Sequence, residues 1–388
     1  MRVLIAPDCF TGTLSAAQAA EAIADGWRRS APDDDLTLQP LSDGGPGFVE
    51  VLSSTLGGVT VFVTVADPLR RPVPAAILMV DGDASRTAYI ESAQACGLHL
   101  LSKGERNPMV TSSYGVGELI EAALGGGATR VVVGLGGSGT NDGGAGMLAA
   151  LGVGDRDALG MGGATLGDLA VDSLDGLTAA RERLHAVELE IATDVDSPLL
   201  GLHGASAMFA QQKGATPEMA QELEFALGHF AELVHKVAPA GRDLIAGKEI
   251  RLDREPGAGA AGGLGYGLLL LGGHRVSGVQ AVLEAVGFDA LVQASDLVVT
   301  GEGSFDWQSL RGKVVAGVAE AALARARPAI VIAGQALVGR RDSMALGISG
   351  TYAVAENPDQ VVSALADPAG TLSRRTETVA TTWSPHHA

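Results

Sequence analysis

Cysteine is nearly absent from this sequence. Cys9 and Cys96 are the only two in 388 residues and have no C-x-x-C spacing, so there is no disulfide framework and a reducing, cytoplasmic setting is the expectation. Aromatic residues make up 4% of the chain, too few for a base-stacking platform. Basic residues are outnumbered, 27 against 45 acidic, and the resulting net charge of −18 repels nucleic acid and anionic lipid. A polyanionic substrate therefore has to be gripped locally, by loops and a few cations. No G-x-x-x-x-G-K-[ST] motif occurs, which excludes an ordinary P-loop, and there is no fixed-period repeat. The opening residues read as a first strand and are too short for a signal peptide. Only Pro256 to Gly273 is uncharged over about the length of a membrane span. Glycine recurs through it, so it reads as a loop entering a buried helix. His229 and His235 have no Glu or Cys at ligand spacing and read as surface or packing residues.

Glycine, by contrast, is abundant, and the chain is organised around Arg130 to Leu151. Val131 to Val133 reads as a buried strand, Gly134 to Gly144 is too glycine-rich for regular structure, and the apolar residues that follow have helical spacing. Strand, glycine loop and helix make an anion site: glycines let main-chain N–H groups turn inward, and the first amides of the helix add partial positive charge. Gly134, Gly136 and Gly139 also fit G-x-G-x-x-G. A dinucleotide site would need a second strand ending in an acidic residue about 20 positions on, and Gly152 to Gly167 has no strand pattern. Ser138, Thr140, Asn141 and Asp142 at the helix entry favour polyphosphate over a purely structural turn.

Read in order, the chain opens with a strand over Val3 to Ile5, a helix whose Ser15 and Gln18 are spaced as a capping box, and a strand over about Leu36 to Leu41. Asp8 and Asp43 follow the two strands, at the edge where open α/β sheets bind ligands; the alternative is that each only caps the next helix. The pattern changes at Val59. Val59 to Val65 alternates strictly and, with Ala75 to Val80, predicts an antiparallel hairpin. Arg86 to Ile90 delivers Glu91, and Leu189 to Thr193 delivers Asp194. From Asp296 the first pattern returns, with strands at Leu297 to Thr300, Ala329 to Ile332 and about Gly350 to Val354. Parallel α/β material at both ends predicts one domain inserted in another. After about Ala366 periodicity fades, and a mobile tail is expected.

These segments together, Ala6-Pro-Asp8, Asp43-Gly44-Gly45, Gly134-x-Gly-Gly-Ser138 with Thr140-Asn-Asp-Gly143, Asp194-x-x-x-Pro198, Gln212-Lys-Gly-Ala215, Pro256 to Gly263, and Gly301-Glu-Gly303 with Asp306, Gln308 and Lys313, resemble the bacterial type I glycerate kinases from about residue 1 to 355. The resemblance implies ATP- and Mg²⁺-dependent phosphorylation of D-glycerate, mainly at its 2-hydroxyl. It also implies a two-domain α/β fold: a parallel Rossmann/flavodoxin-like domain, 1–58 plus 288–388, with a mixed α/β domain, 59–287, inserted. On the matched positions, Asp194, Lys213 and Asp8 are the catalytic candidates, with Asp194 as the proton acceptor. Gly136, Gly137, Ser138, Thr140 and Asn141 would cradle ATP phosphates, with Lys213 or Lys313 as the charged partner. Asp43, Gly44, Gly45, Gly301, Glu302 and Asp306 would bind the substrate, and Asp43, Glu302 or Asp306 the metal. For Asp194 a structural role, capping the segment behind it, is the alternative.

Three positions depart from the family pattern. Thr11 stands where Lys is usual, Pro46 where Glu is, and Ser304 where Arg is. Loss of two cations weakens the grip on a carboxylate or phosphate, so a different small hydroxy acid, or a catalytically weak metabolite-binding relative, is the alternative. The expected partners are ATP and a small hydroxy acid, with no nucleic acid and no membrane; the oligomeric state is open, a homo-oligomer among the options.

Overall fold

In the computed structural model the described residues are 1–10, 12–83, 85–241, 247, 249–310 and 312–384; Thr11 lies outside them. Along them run the strands β1 (Arg2–Ile5), β2 (Asp35–Leu38), β3 (Val59–Ala66), β4 (Pro72–Asp81), β5 (Arg86–Glu91), β6 (Arg130–Gly134), β7 (Glu188–Ala192), β8 (His274–Val276), β9 (Leu297–Thr300), β10 (Ser304–Phe305), β11 (Ala329–Ala333), β12 (Gln335–Ala336) and β13 (Ile348–Ala353). They fall into two compact units.

The first unit comprises Met1–Asp43, Glu50–Leu56 and Val279–Ala388. Its sheet is wholly parallel, in the order β13-β11-β9-β1-β2. Numbering only the five strands of this sheet, this is 2-1-3-4-5, the flavodoxin-type doubly wound order. The central strands are near-continuous apolar runs because both faces are covered. Ile330 and Ile332 pack with Ile23 and Trp27 of the helix Ala16–Ser30, while Val331 and Ala333 pack with Val315 and Ala319 of the helix Val314–Ala324. The alternation of side chains along β11 divides them between the two layers. The Ser15–Gln18 capping box is formed.

The expected mobile tail is instead the helix Pro368–Trp383. Asp367 accepts a hydrogen bond from Gly370 N, and proline occupies the first helical turn, where its missing N–H does no harm. The buried face is Leu372, Ser373, Thr376, Val379 and Ala380. Two of those five carry hydroxyls, which is why the apolar period is faint. The helix lies against Ala16–Ser30 at Gly26, where a Cβ would come within 2.1 Å of Ser373 O. Arg29 Nε donates to Glu377 at 2.9 Å across the same contact.

The second unit comprises Gly44–Val49 and Gly57–Gly278. Its six strands run in the order β3-β4-β5-β6-β7-β8; β3, β4 and β5 are antiparallel and β5 to β8 parallel. Asp67 shapes the β3–β4 turn by accepting the N–H groups of Leu69 and Arg71, both at 2.8 Å. Val131 and Val133 of β6 enter the core with Leu119, Ile120, Leu148 and Phe230 from the covering helices. The run from Pro256 does lead into a buried helix, Ala260–Leu270, whose second to fourth residues, Ala261, Gly262 and Gly263, have positive φ. No helix among the described residues is long and apolar enough to cross a membrane.

Candidate active site

In the first unit, three neighbouring strands deliver carboxylates to one edge. Beyond β1, Ala6 N and Asp8 N donate to Val299 O and Gly301 O, and Leu41 N donates to Pro7 O. Asp8, Glu302 and Asp43 therefore leave β1, β9 and β2 together at the carboxyl ends of the strands. β1 and β9 are where the strand order reverses, the switch point at which such sheets bind ligands. Asp8 and Glu302 are both buried. Burial, and next the Asp43 carboxylate, push the Asp8 carboxyl well above the usual carboxylate range, against a hydrogen bond from Cys9 N. Burial likewise pushes Glu302 up to about 7, helped by Asp306 and Asp43 and opposed by the Ser309 hydroxyl and Lys313. Its Oε1 is buried with no hydrogen-bond partner among the described residues. Carboxylates crowded in this way, with an acceptor left open, suit a hard cation with oxygen ligands.

Lys313 stands just before the helix Val314–Ala324. Ser304 is exposed on the short strand β10, which pairs with β12.

In the second unit the loop after β6 has open donors. Leu135, Gly139 and Gly143 donate their N–H groups to Ala192 O, Cys96 O and Gly262 O, whereas those of 136–138 and 140–142 have no protein acceptor among the described residues. Thr140 Oγ1 and Asn141 Oδ1 are buried and also lack partners. The loop is held by close packing on other glycines. A Cβ on Gly136 would lie 2.6 Å from Gly45 Cα, and one on Gly262 2.0 Å from Thr140 O. Gly44 and Gly45 thus belong beside the loop as backbone packing, and the second glycine-rich run serves as its support. Pro46 lies over Gly137, at 2.9 Å from a Cβ placed there.

Two charges are buried behind this loop. Lys213 is 1% exposed; its Nζ donates to Ser138 Oγ at 3.0 Å and Thr140 O at 2.7 Å. Burial pulls its pKa down to about 8, against the favourable fields of Cys96 and Asp142. Asp142 accepts from Ser113 N, Ser113 Oγ, Gly144 N and Gly146 N at 2.8, 2.9, 3.2 and 3.3 Å. The sequence leads one to expect the amides of the following helix, Ala145–Ala150, to be offered to a ligand. Those of Ala145, Gly146 and Met147 instead donate to Asp142 O, the Asp142 carboxylate and Ser113 Oγ, so the loop itself supplies the open donors. Asp194 leaves β7 partly buried, and its Oδ1 accepts from Ser277 Oγ at 2.6 Å.

Residues 3–384 match the family described as the glycerate kinase family. The chain belongs to that family. It is 45% identical over 363 residues to the glycerate kinase of Bacillus subtilis, an alignment covering 91% of this chain and 90% of that one. To the glycerate 2-kinase of Escherichia coli it is 41% identical over 339 residues, covering 86% and 85%. A crystal structure of a protein from Salmonella typhimurium LT2, proposed to be glycerate kinase 2, superposes with a TM-score of 0.75 at 38% identity, covering 99% of this chain and 98% of that one. Membership makes this glycerate kinase family chain an enzyme, a transferase of phosphoryl groups, and implies ATP as its cosubstrate.

Within the family member, the residues singled out from sequence gather in two groups. Asp8, Asp43, Gly301, Glu302, Asp306 and Lys313 belong to the first unit; Gly44, Gly45, Gly136 to Asn141, Asp194 and Lys213 belong to the second. Asp142 was legible only as part of a polar cluster, and its four donors come from folding. Arg106 left no signal in the sequence.

Proposed function

We propose that this family member transfers the γ-phosphoryl group of ATP to the 2-hydroxyl of D-glycerate, giving 2-phosphoglycerate and ADP. The observation that carries the reading is the run of loop N–H groups at 136–138 and 140–142 without a protein acceptor among the described residues, beside relatives named as glycerate kinase and glycerate 2-kinase. Phosphoryl transfer needs positioning and neutralised charge more than covalent help from the protein. The loop amides would cradle the phosphates. Asp194 would take the proton from the attacking hydroxyl as the new P–O bond forms and the bond to ADP breaks; Ser277 Oγ, at 2.6 Å, would orient the carboxylate. Asp43, Glu302 and Asp306, with Asp8 beside them, would hold Mg²⁺; the buried, unpartnered Glu302 Oε1 and the all-oxygen donor set support that fit. Bound there, Mg²⁺ would supply neutralisation of phosphate charge. We also read the second unit as a domain inserted in the first, near the expected limits of 59–287.

A second reading is favoured by the neutral Pro46 and the exposed, neutral Ser304: the acceptor is another small hydroxy acid. A coupled ADP-release assay with MgATP and D-glycerate, L-glycerate, glycolate, lactate or tartronate separates the two. Turnover on D-glycerate on the order of 1 s⁻¹ or more supports the first, preference for another acid the second, and no turnover on any of them a binding protein. With the active acceptor, Asp194→Asn should lower kcat by about 10²–10⁴-fold; retention of most of kcat would remove Asp194 as the base.

A further inference from the structure

We infer that Arg106 is a substrate-binding residue whose guanidinium takes an anionic oxygen, of an ATP phosphate or of the acceptor's carboxylate. The inference rests on the kinase reading above and adds a cation to it. Several other arginines of the second unit hold carboxylates: Arg71 pairs with Asp67 and Glu105, Arg130 with Glu190, Arg183 with Glu121, and Arg251 with Glu232 and Asp253. Arg106 is half-buried, has no ion pair among the described residues, and its Nε is buried without a hydrogen-bond partner. The adjacent Glu105 does not serve it, because that carboxylate is engaged by Arg71 Nη1 at 2.6 Å and Ser102 N at 2.9 Å. An Nε–H withdrawn from water without an acceptor is costly unless something else completes it.

Its place in the fold points to what that is. Gly214, with φ of +99°, packs so closely on Arg106 that a Cβ there would lie 2.2 Å from Arg106 O and 3.0 Å from Arg106 Cβ. The residue before that glycine is Lys213, whose ammonium reaches Ser138 Oγ and Thr140 O in the glycine loop. Five residues beyond Arg106, Thr111 Oγ1 donates to Gly139 O of the same loop at 2.8 Å. Arg106 is therefore set in a segment fastened to the glycine loop at both ends. The loop adds its own unpartnered groups, the N–H donors and the fully buried Thr140 Oγ1 and Asn141 Oδ1. Lys213 is committed to the loop and cannot fill the role without breaking its own bonds. An arginine fork suits a phosphate or carboxylate, which can accept two of its N–H groups at once.

The test compares wild type, Arg106→Gln and Arg106→Lys by steady-state ADP release, varying ATP and the acid separately, with calorimetric binding of MgATP and thermal midpoints alongside. Arg106→Gln should raise one KM by tenfold or more and leave the midpoint within a few degrees, with Arg106→Lys recovering part of the loss. A rise in KM for ATP with weakened MgATP binding identifies phosphate as the partner; a rise confined to the acid identifies the carboxylate. Both KM values within twofold of wild type, or an equal loss in both variants tracking a fallen midpoint, would overturn the inference while wild-type turnover still upheld the kinase reading. A wild type that neither binds MgATP nor turns over any acid would overturn both.

Discussion

Asp142 in the second unit and Glu302 in the first are both buried acids, yet their surroundings differ in kind. Asp142 is met by four donors, Ser113 N and Oγ, Gly144 N and Gly146 N. Glu302 has one carboxylate oxygen with no partner among the described residues and lies within the field of Asp306 and Asp43. Burial penalises a carboxylate in both places; four hydrogen bonds to the charged form oppose it at Asp142, whereas at Glu302 the Ser309 hydroxyl is set against the repulsion of Asp306 and Asp43. A charge that is completed from within is structural; one left incomplete by its own fold is waiting for something to bind. The same contrast separates Lys213, whose ammonium is engaged inside the loop, from Arg106, whose Nε is not engaged at all.

The strongest way to break this comparison is to remove one charge from each side. Asp142→Asn turns an acceptor toward four donors into an amide that must point hydrogens at some of them, and should destabilise the protein by about 3 kcal/mol. Glu302→Gln, in chelator-treated protein, should leave stability unchanged or slightly raised, because it relieves repulsion with its acidic neighbours. Activity should fall by at least tenfold with Glu302→Gln, along with a raised Mg²⁺ requirement. Urea unfolding and a Mg²⁺ titration of ADP release check both; equal destabilisation by the two changes would erase the distinction.

A smaller effect should follow from Lys213. Its folded pKa is lowered to about 8 from 10.5, so below pH 8 both folded and unfolded chains carry the proton and the penalty for burying the charge is full. As pH rises above 8 the folded chain releases its proton first, and stability should rise, with a slope bounded by about 1.4 kcal/mol per pH unit. The useful window closes near 9, because burial pushes the neighbouring Cys96 thiol up from 9.0 to about 12 and that works in the opposite direction. Denaturant unfolding between pH 7.5 and 9 should show the slope in wild type and its loss in Lys213→Met. A flat wild-type profile would mean that the ammonium is not as withdrawn from water as its 1% exposure implies.

The smallest change concerns the departures from the family pattern. Ser304 is exposed, so Ser304→Arg should leave stability within about 0.5 kcal/mol. If that position faces the bound acid, restoring the usual cation should lower KM for it a few-fold. An unchanged KM for every acid would separate Ser304 from acceptor binding.

Sequence alone determined what depends on near neighbours. Val131 to Val133 is a strand because β-branched residues run together there, Val59 to Val65 pairs as the edge of a hairpin because it alternates, and Ser15 with Gln18 caps a helix because a capping box closes within three residues. The glycine loop and the acidic residues following strands were legible for the same reason. Tertiary structure decided which of those groups would be completed and which left open. Lys213 finds Ser138 across 75 positions of chain and Ser113 finds Asp142 across 29, and no local pattern records either meeting. The helix Pro368–Trp383 was hidden because Ser373 and Thr376 form part of its buried face, acceptable only where Gly26 lets the partner helix come close. Arg106 was invisible because an arginine in a loop is ordinary until the fold buries its Nε and provides no acceptor. Periodicity and capping are energies of adjacent residues, whereas burial and hydrogen-bond completion are settled by residues that only folding brings together.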